Sequence, residues 1–157
     1  MNRRAGLALL CAILAAPFAA AQESVPTPSG LDPAIALRDS QAAIGRAVGE
    51  HPLLDRREQP VRLTDWRGKP LLVSFIYTGC FKVCPTTTQS LSVAVEQLAE
   101  LFGADRFNVV SVGFNQPFDS PTAMRAFAAQ MGIKASNWDF LSPTPGAVEA
   151  LLSDFGF

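Results

Sequence analysis

The stretch that most constrains the fold is Leu71–Leu91, LLVSFIYTGCFKVCPTTTQSL. Leu71 to Tyr77 is a short apolar run rich in β-formers, the pattern of a strand covered on both faces. Thr78-Gly79 breaks the run, and Cys80 and Cys84 follow. Pro85 stands where the first helical residue belongs, a position that tolerates its missing N–H. Leu91, Val95, Leu98 and Phe102 then recur at helical spacing and predict one apolar stripe. A dithiol is thus mounted where a buried strand feeds a helix N-terminus.

That placement has chemical consequences. A helix N-terminus carries partial positive charge and favours anions, so thiolates there form more readily than in free cysteine. Cysteines four apart share one face of a helix or lie across a loop-to-helix junction. Their sulfurs can converge on a disulfide or on one soft metal ion. Thiolates select Cu(I), zinc or iron–sulfur centres over hard cations.

The chain has 157 residues and a formal charge of −1, which bounds it to one small domain with no electrostatic footprint for nucleic acid. Arg3 and Arg4, the apolar run Leu7–Ala16 and the small residues Ala19-Ala20-Ala21 predict a signal peptide over residues 1–21. The expected location is therefore periplasmic or otherwise extracytoplasmic. Left uncleaved, the leader would tether the domain to the inner membrane. Cys11 lies inside the leader behind Leu10, too bulky for lipoprotein cleavage. Removal of the leader leaves Cys80 and Cys84 in a compartment where disulfides form. A purely structural staple is a weak reading, because closing so short a loop removes little unfolded-chain entropy.

Residues 22–48 read as a linker and N-terminal extension, and residues 49–157 as the folded domain. Glu23 to Leu31 is rich in Pro, Ser and Thr, and Asp32-Pro33 can start a short helix of poor apolar spacing. Leu53-Leu54 and Val61–Leu63 predict short strands around the polar turn Asp55–Gln59, with Trp66 packing on the sheet edge. Phe107–Val112 predicts a second buried strand, followed by a loop, Gly113–Phe118. Ser120-Pro121 caps a helix whose inner face carries Met124, Phe127, Ala128 and Met131. At that spacing the two methionines are core residues rather than thioether ligands. Trp138–Leu141 reads as a brief strand or loop, and Thr144-Pro145 starts a third helix with Val148, Leu151, Leu152 and Phe155 inside and Gly156 as its C-cap. Strands alternating with amphipathic helices imply an α/β sheet with crossover connections. The chain stops on apolar Phe157 with no closing strand, so it is expected to be incomplete at its C-terminus, with an exposed sheet edge.

The run Thr78-Gly79-Cys80-Phe81-Lys82-Val83-Cys84-Pro85 between strand and helix resembles the copper site of the Sco/SenC family, thioredoxin-like proteins that deliver copper to cytochrome c oxidase. The resemblance runs from about Gly49 to Phe157 and includes Gly68-Lys69-Pro70, Phe75-Ile76-Tyr77-Thr78, Asp119-Ser120-Pro121 and Asn137-Trp138. It implies an α/β thioredoxin-like fold, truncated here before the C-terminal hairpin and last helix. It implies a copper ion held by Cys80 and Cys84, which also form the redox-active pair that must be reduced before metal binds. The partner it implies is a cytochrome c oxidase subunit or another copper chaperone, and it implies no oligomer. Two departures stand out. Phe81-Lys82 replaces the family's usual Pro-Asp. The family's third ligand, a histidine well downstream, is absent, and the chain's single histidine, His51, lies upstream in a polar, turn-like setting that reads as a surface or loop position. Two thiolates still suit Cu(I), whereas a Cu(II) site lacks a ligand.

The leading reading is a metallochaperone that turns over no substrate. The alternative is an enzyme, an extracytoplasmic thiol–disulfide oxidoreductase that reduces the copper-site cysteines of an oxidase subunit. Its usual Cys-x-x-Cys spacing differs from the spacing here. A thiol peroxidase finds only Thr78 as a polar residue ahead of Cys80. Walker, Rossmann and nucleophile-elbow patterns are missing. Asp55, Asp65, Asp105 and Asp119 are scattered, the pattern of solvated faces and caps, with Asp119 read as part of the loop before Ser120-Pro121.

Overall fold

A computed structural model describes residues 32–157; the expected signal peptide over 1–21 and the Pro/Ser/Thr-rich linker to Leu31 lie outside them. Asp32 caps the first helix, α1 (Pro33–Gln41), accepting from Ala34 N at 2.8 Å and Ile35 N at 3.3 Å. The helix buries no side chain, as its spacing predicts. The segment after it is tied to the end of the chain, with Arg46 Nη1 donating to Ser153 O at 3.0 Å and Gly49 N to Asp154 Oδ2 at 2.8 Å.

Strands β1 (Leu53–Leu54) and β2 (Pro60–Val61) form an antiparallel hairpin. Its turn is built on Asp55, whose carboxylate accepts from Arg57 N at 2.7 Å and Gln59 N at 2.8 Å. Leu63 does not extend β2. It opens a 3-10 turn, Leu63–Trp66, because Asp65 accepts from Arg62 N at 2.9 Å and holds the backbone in a helical turn.

Three parallel strands follow: β3 (Leu71–Ile76), β4 (Asn108–Gly113) and β5 (Trp138–Pro143). The five-stranded sheet runs β2-β1-β5-β4-β3, with β1 antiparallel to β5. The crossovers are α2 (Val83–Phe102) and α3 (Pro121–Gln130), and α4 (Val148–Asp154) follows β5 through a 3-10 turn at Pro145–Ala147. Ser120 caps α3, accepting from Ala123 N at 3.3 Å. Gly156, at φ 81°, closes α4 in the left-handed conformation, with Gly156 N and Phe157 N bonded back to the helix.

The period of two along the strands divides the core. Val109, Trp138 and Phe140 face α2 and α3 and pack with Ile76, Val95, Met124 and Phe127. Val110, Val112 and Leu141 face the other way and pack with Leu53 and Leu151. Each such side chain, fully withdrawn from water, contributes about 1.5–3 kcal/mol. The central strand β4 is therefore apolar on both faces. Trp66 packs against the second cluster, as expected of an edge residue.

Three expectations need correction. β3 is covered only in part: Ile76 packs into one cluster and Leu71, Val73 and Phe75 against the other, but it is an edge strand with β4 as its one neighbour, only Ile76 is fully buried, and Leu72 stands exposed. Trp138–Leu141 is not a brief element but the start of a full strand. Its polar interruptions are absorbed, Trp138 Nε1 bonding Ser111 Oγ at 3.0 Å and Ser142 Oγ bonding Asp119 O at 2.6 Å. The stripe on α2 ends at Leu98 and Ala99, and Phe102 in the last turn projects into solvent.

Candidate dithiol site

Cys80 and Cys84 stand at the carboxyl end of the parallel strands, the end at which open α/β sheets bind ligands. The chain leaves β3 at Tyr77 and turns at once, Cys80 N donating to Tyr77 O at 3.1 Å. Gly79 suits the close turn: a Cβ would lie 2.6 Å from the Tyr77 ring, which would have to shift. α2 begins at Val83, two residues earlier than the expected start at Pro85. Pro85 still lies in the first turn, where backbone N–H groups have no intrahelical partner, so its missing donor costs nothing. Cys80 consequently sits in the loop and Cys84 in the first turn of the helix.

The two cysteines are half-buried, and both thiols are free. The Cys84 main-chain N–H, one of the orphan donors of the helix start, points at the Cys80 sulfur at 3.4 Å. That donor, with the Lys82 N–H, holds Cys80 near a pKa of about 7, below its ordinary 9.0. Burial pushes the Cys84 thiol the other way, with Cys80 and the Asp119 carboxylate adding to the rise. At neutral pH the pair is thus one forming thiolate beside one held thiol. This is the asymmetry of a dithiol that can attack with one sulfur and resolve with the other, or present soft donors to a metal.

Asp119 is the residue that reading from the sequence missed. It is fully buried, not a solvated loop carboxylate. Its Oδ1 accepts from Thr78 N at 2.8 Å and Thr78 Oγ1 at 2.6 Å, and its Oδ2 accepts from Asn115 N at 2.7 Å. Its main-chain oxygen accepts from Gln116 Nε2 at 2.9 Å and Ser142 Oγ at 2.6 Å. One residue thereby fastens together the loop after β3, the loop after β4 and the end of β5. Gly113 makes room for it, since a Cβ there would lie 2.6 Å from Asp119 Cβ. The available signal was position: an aspartate directly before a Ser-Pro helix cap, one loop after a buried strand.

His51 is also corrected. It is a loop histidine, but a buried one, with Nε2 2.8 Å from Asp154 Oδ2. The described residues hold no group of three or more His, Cys, Asp or Glu placed to bind one metal ion, so His51 does not join Cys80 and Cys84. Met124 is buried and Met131 packs against the same core cluster, which confirms them as core.

Residues 39–157 match the family model described as SCO1/SenC. A SCO1 protein homolog of Bacillus subtilis is 30% identical over 84 residues, 52% of this chain and 42% of that protein. The copper-bound structure of Bradyrhizobium japonicum ScoI superposes with a TM-score of 0.60 at 24% identity, over 68% of this chain and 65% of that one. BsSco, described as a Sco family member with a disulfide switch and as a cytochrome c oxidase assembly protein, gives 0.63 at 24% identity, over 71% and 66%. The chain thus spans less than half of the curated relative and about two thirds of these structures. The α/β architecture is the thioredoxin-like fold that the resemblance implied.

Proposed function

The chain belongs to the SCO1/SenC family, and on that premise we propose that it is a copper metallochaperone. It takes a copper ion as cargo at Cys80 and Cys84 and passes it to a cytochrome c oxidase subunit, or to another copper chaperone, during oxidase assembly. The observation that carries this reading is the pair of free thiols at one helix N-terminus, the Cys84 N–H donating to the Cys80 sulfur. Two soft donors suit Cu(I), which accepts low coordination. Because the two donors are soft thiolates, Cu(I) is the form proposed. Copper moves on by exchange of one thiolate ligand at a time, without change of oxidation state. The expected leader over residues 1–21 supports an extracytoplasmic setting for this work; among the described residues no helix is long and apolar enough to cross a membrane.

The test is a Cu(I) titration of the reduced chain against a competing chelator. One equivalent is expected, lost in Cys80→Ser and in Cys84→Ser. A reduced chain that takes up no Cu(I), or binds it equally well after Cys80→Ser, overturns the reading.

The opposed ionisation of the two thiols favours a second reading, a reductase of a partner's copper-site disulfide. The Cys80 thiolate attacks the partner disulfide, forming a mixed disulfide and releasing one partner thiolate. Cys84 then gives up its proton and attacks Cys80, which frees the second partner thiol and leaves the Cys80–Cys84 disulfide. Two electrons pass from the chain to the partner. Reduction of a model disulfide protein such as insulin supports this reading, and its absence removes it.

A further inference from the structure

Phe81, directly after Cys80, is 99% exposed, and Phe118 on the neighbouring loop is 72% exposed. Val83 and Phe114 are exposed beside them. The two loops form one surface. Phe114 N donates to Ile76 O at 3.1 Å, the Tyr77 and Phe114 rings lie 6.4 Å apart, and Thr78 is bonded to Asp119. The loops that carry and flank the dithiol thus expose a collar of apolar side chains, Phe81 and Phe118 above all. The collar is also nearly uncharged. The loops that leave β3, β4 and β5 carry only Lys82 and Asp119 as charged residues, and Asp119 is fully buried. Lys82 is exposed and has no ion-pair partner among the described residues.

We infer that Phe81 and Lys82 are a docking element for a polypeptide that carries its own thiols beside an apolar pocket and a carboxylate. Phe81 enters the pocket and Lys82 meets the carboxylate. The inference rests on the metallochaperone reading and names the chemistry of its partner. Exchange at the Cys80 sulfur requires contact there, and whatever covers Cys80 also covers the residue next to it. Exposed aromatics of this kind are the usual anchors of interfaces, and a lone unpaired cation selects an anionic counterpart and speeds its approach. A second copy of the chain fits poorly: a two-fold contact through this collar brings Lys82 towards Lys82.

The experiment loads the reduced chain with Cu(I) and follows transfer to synthetic dithiol peptides. The peptides share one leucine-flanked Cys-x-x-x-Cys core and differ in carrying glutamates, lysines or glutamines beside it. At low salt, transfer to the glutamate peptide is expected about tenfold faster than to the lysine peptide, with the ratio shrinking as salt rises. Lys82→Glu reverses the ratio. Phe81→Ala slows transfer to all the peptides about tenfold while leaving transfer to dithiothreitol unchanged, since the small thiol needs no anchor. Ratios and rates that ignore both substitutions while Cu(I) still binds overturn the inference and leave the metallochaperone reading intact. Concentration-dependent dimers abolished by Phe81→Ala overturn it in favour of a second copy. If Cu(I) does not bind at all, the metallochaperone reading fails instead. The same peptides as disulfides, reduced by the chain, then report the same ratios and decide the docking element separately.

Discussion

Thr78 presents both its main-chain N–H and its hydroxyl to one carboxylate oxygen of Asp119, at 2.8 and 2.6 Å. The turn that carries Cys80 is therefore held from the loop after β4, not only by its own backbone. The carboxylate is buried, so each bond made to it is sheltered from competing water.

Asp119→Ala leaves the Thr78 and Asn115 donors without their acceptor. The expected loss of stability is on the order of 3 kcal/mol in urea unfolding, the range for buried bonds to a charged group. Asp119→Asn keeps an acceptor and the shape, and loses less. Equal stability of the alanine variant and the parent would show that the turn holds without this carboxylate.

Cys80 is lowered chiefly by main-chain donors, which no side-chain substitution at Cys84 removes; the Cys84 side chain adds a smaller lowering. Alkylation of Cys84→Ser by iodoacetamide, followed against pH, is expected to rise with a midpoint still below the ordinary 9.0, because the main-chain donors remain. In Cys80→Ser the midpoint for Cys84 moves above the ordinary value, because burial disfavours its thiolate. Indistinguishable midpoints for the two variants contradict the asymmetry.

Thr88, in α2, is buried, and its hydroxyl has no hydrogen-bond partner among the described residues. Thr88→Val keeps the shape and removes the stranded hydroxyl. Stability is expected to rise by about 1 kcal/mol. A fall on substitution means that the hydroxyl is bonded in solution.

Asp154 accepts from Gly49 N and from His51, and the first of these bonds chiefly holds its carboxyl below the ordinary 3.8. A lowered folded-state value stabilises the fold above the unfolded value, and the contribution fades as pH falls through the folded one. The melting temperature of the parent is expected to exceed that of Asp154→Asn by a constant margin from neutral pH down to the ordinary carboxylate range. The margin then closes in stronger acid. A margin that widens on acidification reverses the sign and rejects the account.

Local patterns made much of the sheet legible. Apolar runs located β3 and β4, Ser120-Pro121 located the start of α3, and the Met124, Phe127 and Ala128 spacing located its buried face. The placement of both cysteines at a strand-to-helix junction was legible for the same reason. What stayed hidden depends on partners distant in sequence. Asp119 is defined by Thr78, 41 residues away, and His51 by Asp154, 103 residues away, and neither short-range setting betrays burial. The half-open state of β3 was hidden too, because an apolar run reports what a strand can bury and not how many neighbours it has.

The two sulfurs belong to different mechanical parts. Cys84 is built into a 20-residue helix packed on the sheet, and Cys80 rides on a short turn ahead of it. The pair is built like a vice with one jaw set in a helix and the other in a turn, so the spacing of the two sulfurs depends on the conformation of that turn. That turn is fastened at its own backbone and by one aspartate reaching across from the next loop.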